Sequence, residues 1–300
     1  MNYQDKVSVI IPSFNHARFV RQSVYSALFQ NFNGLIEVVV VDDSSTDETK
    51  LLLKDIGMES LPAGRELKIF YKQENKGINH SIEFGLANST GQYIQILASD
   101  DYISPEKLRL QFNYIKKNRL DGVYSTVFQV MSCGAINRVF LKAFKASVEG
   151  KTAYDYVCKR DFDAPLLQSG LFSREVMESA SQVRREFKSD DWAFLLHAFK
   201  NFNVGFFDEP LTFYRIHESN THSNYWRTLP MRLDVAARLV PLDARSECIG
   251  NILTSHGAYL FGDRLFFAGV RFMLAGLVFS PKTISLSLKV VMSAVVRCFR

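Results

Sequence analysis

Three pairs of adjacent aspartates, Asp42-Asp43, Asp100-Asp101 and Asp190-Asp191, are the groups in this 300-residue sequence best suited to chemistry. The first two follow apolar, strand-like runs, Ile36 to Val41 and Tyr93 to Leu97. Carboxylates at the carboxyl end of a parallel strand sit where open α/β sheets bind their ligands. Neighbouring carboxylates repel, so holding both ionised in one loop favours a bound cation. Oxygen ligands suit Mg²⁺ or Mn²⁺, ions that also hold phosphate oxygens. The competing reading of Asp100-Asp101 is an Asp-rich turn that caps the helix opened by Ser104-Pro105. Asp42 can accept from a ribose hydroxyl or a base N–H, or it can cap the next helix in a turn crowded by Ser44, Ser45 and Asp47. Asp190-Asp191 opens an amphipathic helix. There the dipole stabilises negative charge, and an ionised carboxylate could also act as a general base.

Smaller signals surround these pairs. Pro12-Ser13-Phe14-Asn15 leaves the first strand, and its aromatic ring could lie against a nucleobase; a core phenylalanine is the alternative. The glycine of Asn75-Lys76-Gly77 permits close backbone approach, with Lys76 as a point charge for a phosphate. Arg215 and His217, in Tyr214-Arg215-Ile216-His217, could contact a phosphate or, for the histidine, a metal; a structural histidine is the rival reading. Neither GxGxxG nor GxxxxGK[ST] occurs, which removes the main support for dinucleotide-fold and P-loop chemistry.

The elements that must carry these residues alternate. Val7–Ile11, Glu37–Val41, Lys68–Tyr71 and Tyr93–Leu97 read as strands. Helices read after Asn15, from a Ser45–Glu48 capping box, around Ile82–Ala87, and from Pro105 to about Lys117. Strand–helix alternation predicts a doubly wound, mostly parallel sheet. Beyond Gly122 the pattern loosens. Strands are expected at Val123–Ser125, Arg138–Phe144 and Val204–Phe207, with a turn at Glu209-Pro210-Leu211 and helices at Ser173–Ala180 and Asp191–Lys200. After Asn224 the chain reads as helical, which sets expected domains at 1–224 and 225–300.

At 47% hydrophobic the chain can bury a large core. Its net charge of +5 forms no dense basic stripe with interleaved aromatics, so nucleic acid is not an expected partner. Cys133, Cys158, Cys248 and Cys298 form no CxxC pair, so neither a zinc site nor a disulfide framework is expected. No signal-peptide pattern precedes the first strand, and a cytoplasmic location is expected. The segment from Leu286 to Arg300 alternates apolar residues with Lys289, Arg297 and Arg300. It is expected either to lie on the inner face of an anionic membrane or to pack on the preceding domain with its charges in water.

Taken in order, VSVIIPSFN (Val7–Asn15), VVVVDDSSTDET (Val38–Thr49), ENKGIN (Glu74–Asn79), GQYIQILASDD (Gly91–Asp101), SDDW (Ser189–Trp192) and YRIH (Tyr214–His217) resemble glycosyltransferase family 2. The resemblance covers about the first 220 residues. It implies a GT-A fold and inverting transfer of a sugar from a nucleotide-diphosphate donor, with UDP-sugars favoured. The acceptor would be a saccharide or lipid-linked hydroxyl in surface polysaccharide or glycolipid assembly. It implies a Mn²⁺ or Mg²⁺ cofactor and hexosyl or N-acetylhexosaminyl transfer. By the same resemblance Pro12, Phe14, Asn15, Asp42 and Asp100 bind the donor, Asp101 binds the metal and Asp191 is the base; Lys76 at the donor and His217 at the metal, read from their own segments, complete the expected set. Two departures stand out: Ala98 where many members carry another Asp, and Asn79-His80-Ser81 where an Ala-Arg-Asn run is common. The alternative is a non-catalytic nucleotide-sugar-binding or scaffold protein on the same fold. A nucleotidyltransferase would want a triphosphate loop near the first strand that is absent here, and a glycosidase has no use for a nucleotide loop.

Overall fold

The structure is a computed structural model that describes residues 5–139, 141–159, 165–187, 191–217, 225–262 and 265–280. The chain forms two compact units, one made of Met1–Leu141 with Pro165–His217, the other of Lys142–Ala164 with Glu218–Arg300. The expected boundary at 224 thus differs from the observed partition, because residues 142–164 group with the C-terminal helices.

The first unit opens as the alternation predicts: β1 (Lys6–Ser13), α1 (Val20–Leu28), β2 (Leu35–Asp42), α2 (Thr49–Gly57), β3 (Arg65–Tyr71), α3 (Ile78–Ala87) and β4 (Tyr93–Ile96). β3, β2, β1 and β4 pair side by side in parallel. Val7, Val9, Ile11, Val38 and Val40 share one buried cluster with Val24, Leu28 and Leu53 from the helices. Near-continuous burial of β1 and β2 explains why their sequences lack alternation. The register pairs Ser13 with Asp42, so both strands end at the same level and deliver their following loops to one edge.

The sheet continues through β5 (Tyr102–Ile103), β6 (Gly122–Val130), β7 (Ile136–Arg138), β8 (Leu171–Ser173) and β9 (Val204–Arg215). Among the described residues its order is β3-β2-β1-β4-β8-β6-β9-β5, with β7 on β6. β8 runs antiparallel to both β4 and β6, whereas β9 runs parallel to β6. The helices α4 (Lys107–Asn118), α7 (Arg174–Ser179), α8 (Ser181–Glu186) and α9 (Asp191–Asn201) complete this unit.

Three local expectations need correcting. The strand expected over Arg138–Phe144 stops at Arg138, and α5 (Lys142–Glu149) begins instead; Leu141, Phe144 and Ser147 are buried at helical spacing. The turn expected at Glu209-Pro210-Leu211 is part of β9, where register shifts near Thr126 accommodate the proline. The Ser45 capping box does not form. Asp47 Oδ1 accepts from Thr49 N at 3.0 Å, while Ser45 Oγ donates to Asp42.

A buried carboxylate braces the opposite edge of the parallel strands. Glu37 accepts from Ser8 Oγ, from Lys68 Nζ at 2.6 Å and from Thr90 N at 2.7 Å, with Lys6 Nζ at 3.2 Å. Burial raises its pKa, but the bonds from Lys68, Ser8 and Thr90 and the charge of Lys6 outweigh burial and hold it down at about 2. A depressed pKa contributes stability that is complete above the unfolded value near 4.5 and vanishes as pH falls through about 2. Glu37→Gln is expected to cost up to about 3 kcal/mol at neutral pH. Urea unfolding across pH should show that difference shrinking between about pH 5 and pH 2; a pH-independent difference would contradict the assignment.

In the second unit α5, α6 (Ala153–Lys159), α10 (Tyr225–Leu239), α11 (Leu242–Gly262) and α12 (Phe266–Phe279) pack together. No helix among the described residues is long and apolar enough to cross a membrane. The cationic segment read over Leu286–Arg300 lies outside the described residues.

Candidate active site

Asp100 and Asp101 occupy the turn between β4 and β5, closed by Asp101 N donating to Ala98 O at 3.0 Å. Their carboxylates face different surroundings. Asp101 is wholly buried; its Oδ1 accepts from Arg215 N at 2.8 Å and its Oδ2 from Gln168 Nε2 at 3.1 Å. Burial, then the charge of Asp100, push its carboxyl well above the usual range, with the Arg215 and Gln168 bonds opposing. Asp100 instead meets imidazoles. His217 Nε2 lies 3.1 Å from Asp100 Oδ2 and His16 Nε2 lies 3.9 Å from the same oxygen.

Aromatic packing fixes these groups. Phe19 stacks on His217 with centroids 5.1 Å apart, and the Arg215 guanidinium sits between Phe19 and Tyr102, 5.0 and 4.6 Å from their centroids. Arg215 also donates to the Asp100 carbonyl and to Gln22 Oε1. His16 Nδ1 lies 2.7 Å from Ser99 Oγ. Burial lowers the His16 pKa, the Asp100 charge opposes this, and His217 adds to the depression.

Asp191 starts α9, and its Oδ2 accepts from Leu167 N at 3.4 Å. Leu167 begins a 3₁₀ turn, Leu167–Ser169, whose next residue is the Gln168 that donates to Asp101. One three-residue turn therefore touches both acids. It is anchored through its carbonyls. Gln168 O accepts from Gln95 Nε2 at 2.9 Å and Thr212 Oγ1 at 3.3 Å. Ser169 O accepts from Lys107 Nζ and Gln111 Nε2 at 2.8 Å each and from Ser125 Oγ at 3.1 Å. Lys107 is fully buried, and burial drives its pKa well down. Burial, with the charge of Asp191 adding to it, raises the Tyr124 pKa well up. Ser189 and Asp190 lie outside the described residues.

The first acidic pair is turned inward. Asp42 is wholly buried and accepts from Ser45 N at 3.0 Å. Asp43 accepts from Lys76 N at 3.0 Å and Gly77 N at 2.7 Å, and pairs with Lys72. Asp42, expected to meet a ribose or base, serves its own turn because it ends a strand buried on both faces. Its neighbour Asp43 fixes the Asn75-Lys76-Gly77 bend. Gly77 there adopts φ +86°, which glycine alone takes readily. Lys76, expected at a phosphate, places its ammonium in an exposed pair with Glu74 at 2.6 Å. Pro12 is buried in β1 opposite Val41. Phe14 is 40% exposed, beside Asn15, which holds φ +54° and accepts from Thr46 N at 2.8 Å instead of capping α1. The phenyl ring thus remains available as a stacking face.

Among the described residues no three His, Cys, Asp or Glu side chains are grouped to hold an ion unaided. The Asp100 and His217 pair nevertheless suits a shared ion. Adjacent ligands of an octahedral Mg²⁺ or Mn²⁺ lie about 3.0 Å apart, and such ions take one or two protein carboxylates with phosphate oxygens completing the shell. The observed separation is 3.1 Å. Asp101, expected as a ligand, accepts one hydrogen bond at each oxygen, from Arg215 N and Gln168 Nε2. Lys107 and Gln111 were missed by sequence reasoning.

The model of the glycosyl transferase family 2 matches residues 8–161. An uncharacterized glycosyltransferase of Rickettsia typhi is 36% identical over 120 residues, 40% of this chain and 34% of that protein. The chain thus spans about a third of the length of that relative. Another, from Nostoc sp., is 27% identical over 231 residues, covering 72% of this chain and 66% of the relative. In fold the chain is similar to S. aureus TarS 1–349 in complex with UDP-GlcNAc (TM-score 0.58, 16% identity, 90% of this chain and 89% of that one). It is also similar to the mannosyltransferase PcManGT from Pyrobaculum calidifontis in complex with GDP-Man and Mn²⁺ (TM-score 0.61, 17% identity, 99% and 87%). The sheet is of the GT-A kind expected from the motifs, and with more than half its length matched, this chain belongs to glycosyl transferase family 2.

Proposed function

We propose that the protein is an inverting glycosyltransferase that moves a hexosyl or N-acetylhexosaminyl group from a nucleotide-diphosphate sugar to an acceptor hydroxyl. The observation that carries this reading is the Leu167–Ser169 turn, which holds Asp191 through Leu167 N and the Asp100-Asp101 loop through Gln168. The base lies against Phe14 at the end of β1. Asp100 and His217 would hold a Mn²⁺ or Mg²⁺ ion, and Asp101, bonded to Arg215 N and Gln168 Nε2, would brace the loop that carries Asp100. When bound, the ion offsets negative charge growing on the departing diphosphate.

Asp191 accepts the proton from the acceptor hydroxyl. As that oxygen bonds to the anomeric carbon, the bond from this carbon to the diphosphate oxygen breaks, and the nucleoside diphosphate departs with its electron pair. One displacement from the opposite face inverts the anomeric centre without a covalent enzyme intermediate. A saccharide or lipid-linked acceptor in surface polysaccharide or glycolipid assembly fits this chemistry, at a site on the cytoplasmic side.

The donor follows from a panel of UDP- and GDP-sugars with Mn²⁺, read by thermal unfolding and by release of nucleoside diphosphate. A true donor at 100 times its Kd is expected to stabilise the fold by about 2.7 kcal/mol. NMR of the first-formed product should show the anomeric configuration opposite to that of the donor. Retention would refute the single displacement; stabilisation without transfer to any acceptor would favour the non-catalytic binder.

A further inference from the structure

The inward face of α4 is apolar except at its start. Its buried residues are Lys107, Leu108, Gln111, Phe112 and Ile115, at the spacing of one helical face. Lys107 and Gln111, one turn apart, are both wholly enclosed. Lys107 Nζ donates to Gln111 Oε1 at 2.7 Å and to Ser169 O at 2.8 Å, and Gln111 Nε2 donates to the same carbonyl at 2.8 Å. The three groups close a triangle. Among the described residues no carboxylate pairs with the amine. An amine enclosed with only neutral partners is costly to desolvate, so stability alone does not account for it.

The amine is anchored at its own end. Gln30 clamps the start of α4: its Nε2 donates to Ser104 O at 2.7 Å, and its Oε1 accepts from Leu108 N at 3.0 Å. Asn31 N also donates to Pro105 O at 2.8 Å. From Ser169 O the path to both acids is short. Ser169 N and Oγ donate to Leu166 O at 2.9 and 2.7 Å and close the 3₁₀ turn. Leu167 N then meets Asp191 Oδ2, and Gln168 Nε2 meets Asp101 Oδ2. Gln95 and Thr212 grip the middle of the turn at Gln168 O, whereas Lys107 and Gln111 grip its end. Lys107 also orients its partner. With Nζ on Oε1, the Gln111 amide presents its nitrogen to Ser169 O. Removing the amine therefore disturbs both donors from α4.

We infer that Lys107 is a positioning residue for sugar transfer: through Gln111 and Ser169 O it sets where Leu167 holds Asp191 relative to the Asp100-Asp101 loop. The inference rests on the reading of Asp191 as the base. Asp101 keeps a second bond, from Arg215 N, so displacement of the turn acts chiefly on Asp191. A misplacement of about 1 Å at a reacting group can lower turnover about a hundredfold.

The test is Lys107→Met in the full chain, which removes the donor and keeps much of the volume. Amide hydrogen exchange is measured first, without ligand. Peptides covering residues 165–170 are expected to exchange at least about tenfold faster than in the unaltered chain, and those covering β1 and β2 at the unaltered rate. Turnover is then read as release of nucleoside diphosphate, using the UDP- or GDP-sugar that gives the largest thermal shift with Mn²⁺. It is expected to fall at least about tenfold, with that thermal shift unchanged. Gln111→Leu breaks the same triangle at another corner and is the second variant if Lys107→Met does not fold. Unchanged exchange over 165–170, or turnover within about threefold of the unaltered chain, overturns the inference. Exchange quickened throughout the fold, or a thermal shift lost in step with turnover, overturns it too and assigns Lys107 to the core. Asp191→Asn measured alongside separates the two readings. Turnover kept in Asp191→Asn refutes the base; turnover lost there and kept in Lys107→Met refutes the lysine's part alone.

Discussion

Asp191→Asn is expected to lower turnover by about a thousandfold, about 4 kcal/mol of transition-state stabilisation, while donor binding stays as it was. Asparagine keeps the shape and one oxygen that can still accept from Leu167 N, so the 3₁₀ turn need not move. It lacks the negative charge and the basic oxygen that would take a proton. The effect should therefore fall on kcat with little change in the donor's KM, the mark of an interaction made chiefly in the transition state. Release of nucleoside diphosphate under saturating donor measures the first quantity, and donor-induced thermal stabilisation checks the second. Turnover within about tenfold of the unaltered protein would remove Asp191 from proton transfer.

The second large effect separates two adjacent residues. Asp100→Asn is expected to reduce kcat/KM by at least about a hundredfold and to abolish the dependence of donor affinity on Mn²⁺. The reason is geometric: Asp100 Oδ2 is the carboxylate oxygen beside His217 Nε2. Asp101→Asn should leave the Mn²⁺ response in place and act on stability, by about 1–3 kcal/mol, because a buried acceptor bonded to Arg215 N and Gln168 Nε2 is altered. Titrating Mn²⁺ into both variants, with thermal unfolding as the readout, decides between them. Loss of the ion response in Asp101→Asn and its retention in Asp100→Asn would reverse the assignment.

Residue type and order exposed the parallel half of the sheet because its strands are buried on both faces and its helices are short and amphipathic. Val7–Ile11 and Glu37–Val41 could scarcely be anything else. The chemistry was visible as acids at strand ends, but which acid faces a ligand was not. Asp42 and Asp43 are adjacent, as are Asp100 and Asp101, and only the turn geometry sends Asp42 to Ser45 and leaves Asp100 toward His217. Lys107 illustrates the hidden part. A lysine in the first turn of α4, it is enclosed and donates to Ser169 O. The loose pattern after Gly122 has a cause as well. β8 is three residues long, and β9 passes a proline through a bulge, so neither gives a clean period of two.

The Leu167–Ser169 turn is held mainly through its peptide groups. Donors reach the oxygens of Gln168 and Ser169, groups every amino acid possesses, while the buried side chains of Leu167 and Ser169 limit those two positions by volume, with Ser169 Oγ also donating to Leu166 O. Gln168 is the exception, since its side chain spans to Asp101. Volume-conserving changes at 167 and 169 are therefore expected to keep the spacing of the two acids, and larger side chains there to disturb it.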